Sequence, residues 1–120
     1  DLTENKLHSL SQQSIKVLKN IREDVNIKAF MKGGKDRETV AELLDLYAYH
    51  SKKIHPEMID PDRHPGLAKQ YDVRNYGTLV FLSGKRKEKI LQSDESAITN
   101  ALIKVTQKKK KIIYFLTGHG

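Results

Sequence analysis

The spacing of apolar residues changes several times along the chain, and each change marks an element. Ile15, Leu18 and Ile21, with Val17 beside them, recur at helical spacing behind Ser9 and Ser11, either of which can cap the first turn. From Val25 the period falls to two. Val25, Ile27, Ala29 and Met31 alternate with Asn26, Lys28 and Phe30, which predicts a strand because successive side chains point to opposite faces. Gly33-Gly34 breaks it, and Asp36 is placed to cap a second helix. That helix buries Val40, Leu43, Leu44 and Tyr47 and ends near His50. A short strand over Ile54–Ile59 contains Pro56, which cannot donate to a ladder and so predicts a sheet edge. Asp60-Pro61-Asp62 reads as a turn, since Asp caps local amides and Pro presets φ. Pro65 suits the first turn of a short helix reaching about Tyr71. Residues 77–82 form the most apolar strand, Ser83-Gly84-Lys85 a tight turn, and 88–91 the returning hairpin partner. Asp94 caps a last helix that turns Ile98, Ala101, Leu102 and Val105 inward, and 112–116 reads as a final strand.

The order is α-β-α-β-α-β-β-α followed by one strand. It predicts an α/β fold with a mixed sheet and helices on both faces, in which 25–31 and 77–82 are inner neighbours covered on both sides. This is the element order of a thioredoxin-like sheet, with an extra N-terminal helix and an extra C-terminal strand. Residues 1–110 form that domain with its lead-in helix, and 111–120 are expected to open a missing second domain.

Composition narrows the classes. At 120 residues, 38% apolar and 31% charged, the chain is material for one globular domain. The unbroken apolar runs, Leu79-Val80-Phe81-Leu82 among them and Ile112-Ile113-Tyr114-Phe115-Leu116 the longest, fall far short of the ~20 residues of a membrane helix. The opening Asp1-Leu2-Thr3-Glu4 has no basic flank, no apolar h-region and no initiator Met, so the chain is expected to be a segment of a longer protein. The absence of cysteine removes disulfides, thiolate zinc sites and cysteine nucleophiles. A net charge of +7, concentrated in Lys85-Arg86-Lys87 with Lys89 and in 108–111, raises the alternative of a basic domain that binds nucleic acid or an anionic surface.

Tyr71-Asp72-Val73-Arg74-Asn75-Tyr76-Gly77-Thr78-Leu79-Val80-Phe81 resembles the second half of a thioredoxin, where a Tyr-x-Val/Ile-x-x-x-Pro-Thr-Leu run enters an apolar strand. Gly77 occupies the family's cis-proline position, and Gly33-Gly34-Lys35-Asp36 replaces its Cys-x-x-Cys, so disulfide exchange has no nucleophile. The resemblance implies that Gly33, Gly34 and Lys35 lie beside Tyr76, Gly77 and Thr78 and form the groove where active relatives hold an extended peptide. Gly33-Gly34-Lys35 also resembles an anion-binding turn, but the first Gly and the Ser/Thr of a Walker loop are missing. The five histidines, with Asp60 and Asp62, show no His-x-x-x-His spacing, so no metal and no cofactor are expected.

A second resemblance spans most of the chain. Asp1-Leu2-Thr3-Glu4-Asn5-Lys6, Asp60-Pro61-Asp62, Gly66-Leu67-Ala68-Lys69-Gln70-Tyr71, Glu95-Ser96-Ala97-Ile98-Thr99-Asn100-Ala101-Leu102 and Tyr114-Phe115-Leu116-Thr117-Gly118-His119-Gly120 are similar to segments of the gliding-motility-type ABC transporter auxiliary family. The resemblance implies a non-catalytic interaction domain on the extracytoplasmic (periplasmic) side of the inner membrane, anchored by membrane helices outside this sequence. The permease and ATPase subunits of the same system would be its partners. A homodimer through the strand at 111–120 is a further expectation, and nucleic acid is not an expected partner. A degenerate thioredoxin-like enzyme with non-thiol chemistry is the third reading, and the sequence offers no catalytic pair for it.

Overall fold

The computed structural model describes residues 9–107. Eight elements follow in order: α1 (Gln12–Asn20), β1 (Val25–Phe30), α2 (Lys35–His50), β2 (Ile54–Ile59), α3 (Pro65–Gln70), β3 (Thr78–Ser83), β4 (Arg86–Ile90) and α4 (Glu95–Thr106). The strands form one sheet in the order β2-β1-β3-β4. β1 runs parallel to β2, from Val25↔Ile54 to Phe30↔Ile59, and antiparallel to β3, from Asn26↔Leu82 to Phe30↔Thr78. β1 and β3 are therefore the inner pair, as their apolar runs require. Pro56 sits on the β2 edge, where its missing N–H leaves no gap in the ladder.

The alternation along β1 and β3 divides the core. Val25, Ile27, Ala29, Leu79 and Phe81 point to one face, where they meet Leu18 of α1, Val40, Leu44 and Tyr47 of α2, and Ile98, Ala101, Leu102 and Val105 of α4. Complete burial of each such aliphatic side chain contributes about 1.5–3 kcal/mol, so this face supplies most of the stability. Phe30, Ile59 and Val80 point the other way and are covered by the short α3 and the segment after it, through Leu67, Ala68, Tyr71 and Val73. That cover reaches only the Phe30 end of the sheet. Asn26, His55 and Glu57 remain exposed on the same face, and Lys28 bonds Glu57 at 2.8 Å. The expectation that both inner strands are sealed on two sides thus holds at one end only, because α3 has a single turn and a half to offer.

Local signals set the element ends. Ser11 caps α1 by accepting from the Ser14 amide at 3.2 Å, and Asp94 caps α4 by accepting from Ala97 at 3.4 Å. Asp36 does not cap α2. Gly34 holds that position without a side-chain bond, and Asp36 lies inside the first turn, where its charge complements the helix dipole. β4 begins at Arg86, not at 88, because Gly84 takes φ +59° and closes the hairpin with two residues. Leu91 falls outside the strand and is 64% exposed. The strand expected at 112–116 lies outside the described residues.

Three hydroxyls tie the helices together beneath the apolar contacts. Thr99 Oγ1 of α4 lies 2.7 Å from both Ser14 Oγ of α1 and Tyr47 OH of α2. Tyr47 is fully buried, as its place on the apolar stripe of α2 requires; the bonds made by its hydroxyl have no signature in the sequence.

Candidate functional site

The register Phe30↔Thr78 places the loop leaving β1 against the loop entering β3. The Gly77 amide donates to the Phe30 carbonyl at 2.8 Å and locks the two loops side by side. Between them lies a depression of about 360 Å³ lined by Met31, Lys32, Gly33, Lys35, Asp36, Tyr76 and Gly77. Four of the six residues expected there, Gly33, Lys35, Tyr76 and Gly77, do line it.

The other two do not, for identifiable reasons. Gly34 takes φ +117° and turns its carbonyl to the Glu38 amide at 3.2 Å as the cap of α2. Thr78 is 1% exposed, and its hydroxyl donates back to the Asn75 carbonyl at 2.7 Å, so it serves the turn and not the groove. Gly77 has φ +89° with no atom near the place of a Cβ, a conformation that glycine adopts freely. No cis peptide occurs among the described residues, so this position differs from the thioredoxin proline in bond geometry as well as in residue type.

Tyr76 is the most constructed residue of the site. Its ring is 53% exposed, yet its position is set from two sides. The phenol donates to both Asp62 carboxylate oxygens, at 2.8 and 2.9 Å, and Lys32 Nζ stands 5.4 Å from the ring centroid. The Asp62 hydrogen bond, with smaller contributions from burial and from the charges of Asp62 and Asp60, raises the phenol's pKa and keeps it protonated. Asp62 is itself presented by a turn in which its amide bonds Asp60 Oδ1 at 2.9 Å. Tyr76 also borders a smaller hollow of about 200 Å³ with Pro61, Asp62, Val73, Arg74 and Asn75. Tyr76 thus lines two depressions. Lys32 was legible as a neighbour of Gly33, whereas the role of Asp62, fourteen residues from Tyr76, had no local signal.

The chain has no cysteine; of the two hydroxyls next to Gly77, that of Thr78 is buried and bonded to Asn75, and that of Tyr76 is bonded to Asp62. Among the described residues no group of three or more His, Asp or Glu side chains converges as a metal site. His55 lies away from the groove and pairs with Asp24 at 2.9 Å, a bond that lowers the Asp24 pKa. What the groove offers is a rigid aromatic, two lysines and a backbone edge.

The sequence profile of the family described as "Domain of unknown function (DUF7088)" matches residues 4–118. No curated protein matches the sequence significantly. Solved structures similar to this chain include a thioredoxin variant from Halobacterium salinarum (20% identity, 83% of this chain and 89% of that one, TM-score 0.57). Thioredoxin NaTrxh from Nicotiana alata is also similar (12% identity, 80% and 84% covered, TM-score 0.61). So is Fasciola hepatica thioredoxin (14% identity, 75% and 88% covered, TM-score 0.60). At these identities the likeness is one of fold, and the fold is thioredoxin-like.

Proposed function

The chain belongs to the DUF7088 family, and we propose, on the groove and the segment similarities, that it is a non-catalytic interaction domain of a membrane-anchored, gliding-motility-type ABC transport auxiliary protein. In this reading the domain lies on the extracytoplasmic side of the inner membrane and contacts the permease and ATPase subunits of its own system. The observation that carries the interaction role is the juxtaposition of Gly33 and Lys35 with Tyr76 and Gly77 around a groove that has no thiol. An extended partner segment laid along the Tyr76–Gly77 edge would pack on the fixed ring and meet Lys32 and Lys35. Binding energy of this kind concentrates in rigid aromatic anchors whose position is settled beforehand. The transport assignment rests on the segment similarities from Asp1 to Gly120.

The test is assembly. The full-length protein is co-expressed with the permease and ATPase of its system, as wild type and as Tyr76→Ala with Lys32→Ala, and the complex is purified through the ATPase. Both residues are exposed, so the variant is expected to keep its fold, which circular dichroism checks. Loss of the protein from the variant complex supports the reading. Equal recovery of both forms removes the groove from the interface, and no recovery of either form removes the transport assignment.

A further inference from the structure

The topology gathers positive charge at the end of the sheet opposite the groove. Four chain segments meet there: the connection into β1, the connection into β2, the β3–β4 turn and the last turn of α4. They bring Arg22, the pair Lys52 and Lys53, Lys85 with Lys87, and Lys104 to one end, all exposed. Two of the acidic side chains at that end are already engaged, Glu23 by Arg86 and Asp24 by His55. Arg22, Lys52, Lys85, Lys87 and Lys104 form no ion pair with the described residues. Between the hairpin and α4 a cleft of about 710 Å³ opens, and Glu88 is the one carboxylate among the residues that line it. Arg86 sets its wall by donating from Nε to the Val105 carbonyl at 2.6 Å, while its other arm holds Glu23. Gln107 stands at the same cleft, and the next four residues of the sequence are lysines.

The opposite end is mixed in sign, with Asp60, Asp62, Asp72 and Asp94 beside Lys32, Arg63 and Arg74 in the loops around the groove. A fold has no structural need to bring like charges from four connections together, because unpaired cations at close range repel. Edge protection accounts for a lysine on β4 but not for Lys52 or Lys104. Tyr49, 83% exposed in the last turn of α2, adds an amphipathic ring at this end.

We infer that this end of the domain docks on an anionic phospholipid surface, leaving the groove turned away from the bilayer. The cations are not confined to the cleft, since Arg22, Lys52 and Lys53 lie on other connections, and a single exposed aromatic is too few for a stacking platform on a nucleic-acid strand. The inference is independent of the transport reading, since it rests on charge placement and not on the groove.

Vesicle sedimentation tests it, using the 120-residue chain with phosphatidylcholine vesicles and with vesicles of phosphatidylcholine and phosphatidylglycerol at 7:3 (about 30% anionic lipid, enough to attract basic clusters). Binding is expected to the anionic vesicles only and to fall steeply between low and high salt. Lys52→Gln with Lys85→Gln and Lys87→Gln should weaken it roughly a hundredfold, at a factor of about five per lysine. Arg37→Gln with Arg63→Gln and Lys69→Gln changes net charge equally but lies away from this end, and should cost less than about threefold. Equal losses in the two triple variants would mean that net charge alone acts, and absence of binding to anionic vesicles would overturn the proposal. Tighter binding to a DNA duplex than to the vesicles at the same salt would overturn the choice of partner.

Discussion

Replacing Thr99 by valine removes the middle link of the hydroxyl chain while keeping its shape. Ser14 donates to Glu95 Oε2 at 2.5 Å, so the 2.7 Å contact between Ser14 and Thr99 uses the Thr99 proton, and the Tyr47 phenol must donate to Thr99. The chain therefore runs from α2 through α4 to α1 and ends on a carboxylate. In Thr99→Val, Ser14 keeps Glu95, and the Tyr47 phenol proton turns from Thr99 to the Glu95 carbonyl 3.0 Å away, so no donor is stranded. Two hydrogen bonds at about 1 kcal/mol each are lost and the redirected phenol recovers part of one, which sets the expected destabilisation at about 1–2 kcal/mol at neutral pH. Urea denaturation followed by circular dichroism measures it, with a slope of about 1–3 kcal/mol per molar urea converting it to a clear midpoint shift. Tyr47→Phe should cost about 1 kcal/mol, and the double variant less than the sum because the two share one bond. An unchanged midpoint in Thr99→Val would show that the helices are held by apolar contact alone. A loss above about 4 kcal/mol would mean that a polar group is left unpaired, contrary to a bonding order in which Ser14 and Tyr47 each keep a second acceptor.

Acid titration reads the end of the same chain. Burial pushes the Glu95 carboxyl up, but the Ser14 hydroxyl and the Ser11 amide and hydroxyl outweigh it and hold the pKa below 4.5. A carboxyl lowered in the folded state adds stability above its unfolded pKa, and that stability is lost as pH falls through the folded value. The stability difference between wild type and Glu95→Gln should be flat from pH 7 to about 5 and shrink below about 4.5; a difference constant to pH 3 would refute it. Restoring the thioredoxin proline by Gly77→Pro should destabilise the domain by about 2–4 kcal/mol, since it removes the amide bonded to Phe30 and forbids φ +89°. A thermal melt no lower than wild type would contradict that account. Leu44→Ala, at a fully buried position, should cost about 2–5 kcal/mol in the same urea assay, and a cost under 1 would place Leu44 outside the main core.

Much of the fold was legible along the chain because its determinants are local. The switch from helical spacing to alternation at Val25, the caps Ser11 and Asp94, the edge proline Pro56 and the turn glycine Gly84 each act within a few residues. The lack of a thiol was legible for the same reason: it is a matter of residue type. The misread positions were also local in origin. Asp36 has the chemistry of a cap but stands two residues past the one the backbone uses, and the hairpin's return strand starts as soon as a two-residue turn allows. What the chain could not reveal depends on register and packing. Asp62 holds Tyr76, Thr99 meets Ser14 across 85 residues, and cations from four connections share one end of the sheet. A polar side chain carries no periodic signature of its partner, so those pairings exist only once β1, β2 and β3 have locked in register and carried distant loops into reach.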